Sequence, residues 1–167
     1  MAPSDDLPCL GLGLYFEDLP VGRRFRTIGR TVTEPDIVNF VNATGMTEVL
    51  FTNLEFLAEE SDIKGRIAPG ALGYTFAEGL LVHATMQHTG FAFLEMELKI
   101  EGPLFAGDTI HVEVEVIEAR LSRSRPGRGR VRTRNRVVKQ DGTGVLVYTP
   151  LRMIKCRNAD GSKVQAG

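Results

Sequence analysis

Gly70-Ala71-Leu72-Gly73-Tyr74-Thr75-Phe76-Ala77-Glu78-Gly79-Leu80-Leu81-Val82-His83-Ala84-Thr85-Met86-Gln87 is apolar almost all the way round at helical spacing. A helix with so little polar face belongs in the middle of its domain rather than on its surface. After it the period changes to two. Phe91 to Ile100, Thr109 to Val116, Gly129 to Val138 and Gly144 to Ile154 alternate as strands, divided by Gly-Pro, Gly-Asp, Arg-Pro-Gly and Asp-Gly turn signals. A buried helix followed by antiparallel strands implies an α+β fold, a curled antiparallel sheet wrapped around a long central helix.

Upstream of that helix, Arg24 to Thr33 alternates as a strand with Phe25, Ile28 and Val32 available to pack. It ends in a helix start signal: Thr33 and Asp36 form a capping box with Pro35 in the first turn, and Ile37, Phe40 and Val41 share the apolar face that follows. Beyond Gly45 an irregular segment leads to a short helix from Leu54 to Glu60, placed as a flap. The folded domain is expected to span residues 14–156. Residues 1–13 and 157–167 carry no sustained periodicity and are expected to be loose.

At 167 residues and 43% apolar content the chain suffices for one substantial core. Its formal net charge of −1 supplies no global attraction to nucleic acid or to an acidic membrane. No stretch approaches the roughly 18 apolar residues that a membrane span needs, and the start Met-Ala-Pro-Ser-Asp-Asp has neither a basic nor an apolar signal region. Cys9 and Cys156 are far apart and lack metal or disulfide spacing, so a reducing cytoplasm is expected.

Four segments in order then carry a family resemblance: Tyr15-Phe16-Glu17-Asp18-Leu19-Pro20-Val21-Gly22, Arg30-Thr31-Val32-Thr33-Glu34-Pro35-Asp36-Ile37, Gly65-Arg66-Ile67-Ala68-Pro69-Gly70 and Pro103-Leu104-Phe105-Ala106-Gly107-Asp108-Thr109. Together the chain resembles MaoC-like dehydratases and the related R-specific enoyl-CoA hydratases, across almost the whole folded body. The resemblance implies a single hotdog domain, at least a homodimer, a coenzyme A thioester as substrate and no tightly bound cofactor. It also implies that water is added across, or removed to form, the 2,3 double bond of an acyl thioester.

The catalytic loop departs from the family pattern Thr/Ser-Gly-Asp-x-Asn-Pro-Leu/Ile-His-x-Asp. Here the segment reads Thr44-Gly45-Met46-Thr47-Glu48-Val49-Leu50-Phe51-Thr52-Asn53, so Met46 stands at the Asp position, Glu48 at the Asn position and Phe51 at the His position. Met and Phe transfer no protons, and the usual acid/base pair is absent. The resemblance assigns thioester oxygen binding to the Gly70 N–H at the start of the central helix, where a helix N-terminus suits a developing enolate. Eight residues on, Glu78 sits in an apolar stretch where hydratases of this family tend to place a small hydroxyl residue.

One expectation is that Glu48 and Glu78 approach each other and replace the lost pair, with Met46, Phe51 and Tyr74 as substrate walls. The other is that Glu48 is a solvated loop residue and that Glu78 pairs with an arginine or lies at a dimer interface. Two rival activities follow: an acyl-CoA thioesterase using Glu78 on the central helix, and a catalytically silent acyl-thioester-binding subunit. Arg66 either steadies the loop or meets a phosphate, and Tyr74 either orients Glu78 or fills the core. His83, His88 and His111 have no metal-ligand spacing, so no metal site is expected. Arg130, Arg132, Arg134 and Arg136 line one face of a strand, where Glu113, Glu115 and Glu118 of the preceding strand balance them. One or two arginines of the Arg120 to Arg136 stretch are candidates for a phosphate of coenzyme A or of an acyl carrier protein. No aromatic residue interleaves with these arginines, which argues against nucleic acid.

Overall fold

The long apolar segment forms helix α4 (Gly70–Thr85), and Leu72, Gly73, Ala77 and Leu81 are its buried positions. The structure is a computed structural model and describes residues 7–157. Ahead of α4 come β1 (Arg24–Arg26), β2 (Arg30–Thr31), α1 (Glu34–Thr44), α2 (Val49–Thr52) and α3 (Leu54–Glu59). After it come β3 (Gly90–Glu95), β4 (Leu98–Ile100), β5 (Thr109–Leu121), β6 (Arg128–Lys139), β7 (Gly144–Tyr148) and β8 (Leu151–Lys155). All pairings are antiparallel in one sheet: β1 and β2 lie on β5, β5 on β6, β6 on both β7 and β8, β7 on β4 and β8 on β3. The sheet curls around α4, which is the hotdog arrangement.

Side chains from three layers meet in the core: Val32, Ile37 and Val41 from the α1 side, Leu72 and Leu81 from α4, and Ile110, Val112, Val137 and Leu146 from the sheet. The helix approaches the sheet closely at Gly73, where an added Cβ would stand 3.3 Å from Leu104 and 3.5 Å from Leu146. A side chain there would press on Leu104, so the close approach is a tight one.

Local signals set the element ends. The capping box forms: the Asp36 N–H donates to Thr33 Oγ1 at 3.3 Å, and the Thr33 N–H donates to Asp36 Oδ2 at 2.8 Å. Helix α4 stops at Thr85, two residues short of the expected end, and the incoming chain takes its last carbonyls. Leu14 N–H donates to Thr85 O and Gly13 N–H to Gln87 O, each at 2.8 Å.

Three expected strands are each divided in two. In Arg24 to Thr33 the break falls at Thr27–Gly29, because the Thr27 hydroxyl accepts the Val112 N–H at 3.0 Å and substitutes for the backbone ladder. Ile28, expected to pack, is therefore turned outward and is 76% exposed. The 144–154 strand breaks at Thr149–Pro150, where proline has no N–H to give. Its neighbour divides opposite it, between Glu95 and Leu98, and Thr149 N–H donates to Glu97 O at 2.9 Å. The paired breaks let one edge of the sheet bend around the helix. Of the ends expected to be loose, residues 1–6 and 158–167 lie outside the described residues.

Candidate active site

Helix α4 begins at an uncapped end. Pro69 is the N-cap and supplies no side-chain hydrogen bond, so the first-turn N–H groups, Gly70 among them, have no capping side chain. Beside them is an apolar cavity of about 300 Å³, lined by Gly70, Gly73, Ile100, Pro103, Leu104 and Val145 among others. The helix dipole and the uncapped N–H groups make this end suited to negative charge.

The loop between α1 and α3 carries Met46, Glu48 and Phe51. Gly45 ends α1 in the left-handed region at φ 71°. Met46 is partly exposed, and Phe51 is half-buried and packs against the core. Glu48 is the exposed N-cap residue of α2, where its carbonyl accepts from the Phe51 N–H at 2.9 Å while its carboxylate makes no cap. Among the described residues Glu48 has no hydrogen bond or ion pair to Glu78.

Arg66 braces this loop. Its Nε donates to Glu34 Oε1 at 2.6 Å, and another guanidinium N–H donates to the Phe51 carbonyl, tying α2 to the first turn of α1. A fork with fixed donor geometry suits this double contact.

Glu78 lies on α4 and is held by two residues of the sheet. Arg152 Nη2 donates to Glu78 Oε1 at 2.6 Å and to Oε2 at 2.7 Å, and the Tyr148 hydroxyl donates to Oε1 at 2.8 Å. The Glu78 and Arg152 side chains are 16% and 11% exposed, so the pair is close to fully buried. Arg152 also stands over the Phe93 ring, 4.8 Å from its centroid. Tyr74, one turn before Glu78, packs edge-on against Tyr148 with centroids 5.3 Å apart and makes no hydrogen bond to Glu78 among the described residues. Burial and then the Glu78 charge push the Tyr74 and Tyr148 phenols above their ordinary range, Tyr148 strongly, so both stay protonated and Tyr148 stays a donor.

Tyr148 and Arg152 escape a reading of the sequence by pattern alone. The available signal is an arginine inside the apolar run Leu151-Arg152-Met153-Ile154, which needs a counter-charge if that strand is buried. Asn135 is a second such residue. It is 1% exposed, neither its Nδ2 nor its Oδ1 has a partner among the described residues, and it borders a cavity of about 30 Å³ beside Arg152 and Thr133, enough for a single bridging water.

His83 is exposed on α4, His88 follows its end at φ 62°, and His111 lies 3.8 Å from Glu113. No group of His, Cys, Asp or Glu able to hold a metal occurs among the described residues. On the β5–β6 ladder the charges pair as the alternation implies: Arg136 with Glu113 at 3.4 Å, Arg134 with Glu115 at 3.3 Å and Arg132 with Glu118 at 3.5 Å. Arg130 instead faces Arg120.

A family model described as "MaoC like domain" matches residues 17–139. The chain belongs to the MaoC-like family. It is 32% identical to Protein MaoC of Klebsiella aerogenes over 101 residues, which are 60% of this chain and 30% of that protein, so it matches less than a third of that relative's length. It is 28% identical to the crystal structure of a MaoC-like dehydratase from Rhodospirillum rubrum, with TM-score 0.76, covering 87% of this chain and 99% of the other. The R-hydratase PhaJ1 of Pseudomonas aeruginosa shares the fold at 23% identity and TM-score 0.72, covering 93% of this chain and 97% of that one.

Proposed function

We propose that this chain hydrates a 2-enoyl coenzyme A ester, or dehydrates the corresponding 3-hydroxyacyl ester, using carboxylates in place of the family's acid/base pair. The observation that carries this is the uncapped N-terminus of α4 opening on an apolar cavity. A thioester oxygen received there by the Gly70 N–H gains hydrogen bonding and dipole stabilisation as the enolate develops. In the hydration direction a carboxylate takes one proton from water as the water oxygen bonds to C3 and the enolate forms; that proton is then delivered to C2, and the enolate collapses to the neutral thioester carbonyl.

Proton transfer falls to Glu48 and Glu78, in different ways. Glu48 is exposed, with no ion pair among the described residues, and is free to take a proton from water or return it. Glu78 has both oxygens engaged by Arg152 and Tyr148, so its part in proton transfer requires one of these hydrogen bonds to open. Met46, Phe51 and Tyr74, none of which lines the α4 cavity, are assigned to the acyl chain's path outside it, and Arg66 holds the loop that carries Glu48. Coenzyme A enters as part of the substrate, and no resident cofactor is called for. The edge formed by β3 and β4 exposes Phe91, Phe93, Leu94, Leu98 and Ile100, an apolar strand edge that suits pairing with a second copy of the chain. Among the described residues no helix is long and apolar enough to cross a membrane; we place the protein in the cytoplasm.

The occupied state of Glu78 favours a second reading, a silent acyl-thioester-binding subunit. Steady-state turnover of a panel of 2-enoyl coenzyme A esters, followed at the conjugated thioester absorbance, separates them. Loss of turnover in Glu48→Gln supports the hydratase. Binding without turnover of any ester overturns it in favour of the silent binder, and release of free thiol from a saturated ester overturns it in favour of a thioesterase.

A further inference from the structure

The hairpin end of β5 and β6 forms a groove of about 800 Å³ to which the proposed reaction assigns no task. Arg120, Arg123, Arg125 and Arg130 line it, with Leu94 and Leu121 supplying apolar surface, and no aspartate or glutamate is among the lining residues. Of the four arginines only Arg120 has an ion pair among the described residues, with Glu118 at 3.0 Å. Arg120 and Arg130 stand directly opposite each other in the ladder, where like charges repel. The Arg130 Nε is buried and has no hydrogen-bond partner among the described residues.

A second groove makes the contrast. It is about 420 Å³ and is also lined by four arginines, Arg24, Arg26, Arg134 and Arg136, but Glu113 and Glu115 share it and pair with two of them. Arginine content is therefore common to both, and only the first groove lacks carboxylates in its lining. A site with forked donors, an unpartnered buried N–H and uncompensated positive charge is built for an anion with several oxygens.

We propose that this groove binds the phosphate-bearing nucleotide end of the coenzyme A ester. Its volume suits a ligand of nucleotide size, and the apolar surface of Leu94 and Leu121 gives a base something to lie on. The identity of the ligand rests on the thioester reading above; the anion site rests on the arginines alone. Leu94, in the groove, and Ile100, in the α4 cavity, lie on the same sheet edge, roughly 20 Å apart at strand spacing. A two-fold antiparallel pairing of that edge centred between Leu94 and Ile100 would lay the groove of one protomer against the cavity of its partner, so that one extended ligand would span two subunits.

The test titrates adenosine 3′,5′-bisphosphate into the full chain and into two double variants, Arg123→Ser/Arg125→Ser in the groove and Arg24→Ser/Arg26→Ser in the one that also holds Glu113 and Glu115. All four positions are exposed, so folding should survive, with the thermal melt as a check. We expect binding to weaken by about tenfold or more in the first variant and to be unchanged in the second. Unchanged binding in both, or equal loss in both, overturns the site. So does binding of the phosphopantetheine arm only when it is carried on a protein. Turnover of an enoyl-pantetheine, which lacks the nucleotide, separates the two claims. If the groove variant raises KM for the coenzyme A ester but not for enoyl-pantetheine, both stand. If neither ester turns over while nucleotide binding still depends on Arg123 and Arg125, the hydratase reading fails and the anion site stands.

Discussion

Replacing Arg152 by Met strands a carboxylate in the core. Arg152 and Glu78 have side chains only 11% and 16% exposed, and two of the three hydrogen bonds to the carboxylate come from the guanidinium. Removing one partner of a buried pair costs about 3–5 kcal/mol, because the remaining charge keeps its desolvation cost and loses its attraction. The residual exposure and the surviving Tyr148 bond put this case at the low end, about 3 kcal/mol. For a chain of this size that is roughly 10 °C in Tm. The chain has no Trp, so urea unfolding is best followed by far-UV circular dichroism, at fixed protein concentration because dimerisation would shift the midpoint. Arg152→Met also loses its contact with the Phe93 ring. A double-mutant cycle with Glu78→Gln removes that shared loss and isolates the pair, with an expected coupling above about 1 kcal/mol. If Arg152→Met costs less than about 0.5 kcal/mol, or if the two single effects simply add, Glu78 is not held by Arg152, and the distinction drawn above between a fixed Glu78 and a free Glu48 is wrong.

Arg66→Met should release the loop, raising amide hydrogen exchange at residues 48–53 with a stability cost of about 1 kcal/mol; unchanged exchange there would remove the bracing role. Thr33→Ala should cost about 1 kcal/mol through loss of the N-cap. The Thr33 hydroxyl and then its N–H hold the Asp36 carboxyl below the usual aspartate range. A folded value below the unfolded one means stability that is present above the unfolded value and lost as pH falls through the folded one. The wild-type advantage over Thr33→Ala should therefore shrink between about pH 5 and pH 2, and a constant difference would contradict the cap. Gly129→Ala would place a Cβ 2.0 Å from the Phe16 ring, so we expect about 1–3 kcal/mol of destabilisation, measured by urea unfolding.

What the sequence discloses and what it conceals divide along sequence distance. The buried helix, the capping box and the alternating strands are local patterns, and each has its counterpart in α4, α1 and β3 to β8. The strand breaks are less local: that at Thr27 depends on a hydroxyl meeting Val112, and that at Pro150 is signalled by the proline but shaped by Glu97 across the sheet. The Glu78 cluster is the extreme case, since its partners are 70 and 74 residues away and on different strands. Periodicity assigns each residue a face; it does not say which residues of two facing elements touch.

The same logic separates the arginines. Alternation along β6 places Arg130 to Arg136 on one face, and the opposing glutamates neutralise Arg132, Arg134 and Arg136. The balance ends where the β5 partner becomes Arg120 instead of a glutamate, and from there the hairpin adds Arg123 and Arg125. Of the two arginine grooves, the one at this end of the ladder has no carboxylate in its lining. The negative-charge-seeking helix end at Gly70 is another place where the fold leaves donors uncapped. A thioester whose oxygen develops negative charge at one end, and whose nucleotide carries phosphates at the other, matches both, and under the proposal above a second copy paired along the β3–β4 edge would bring them together.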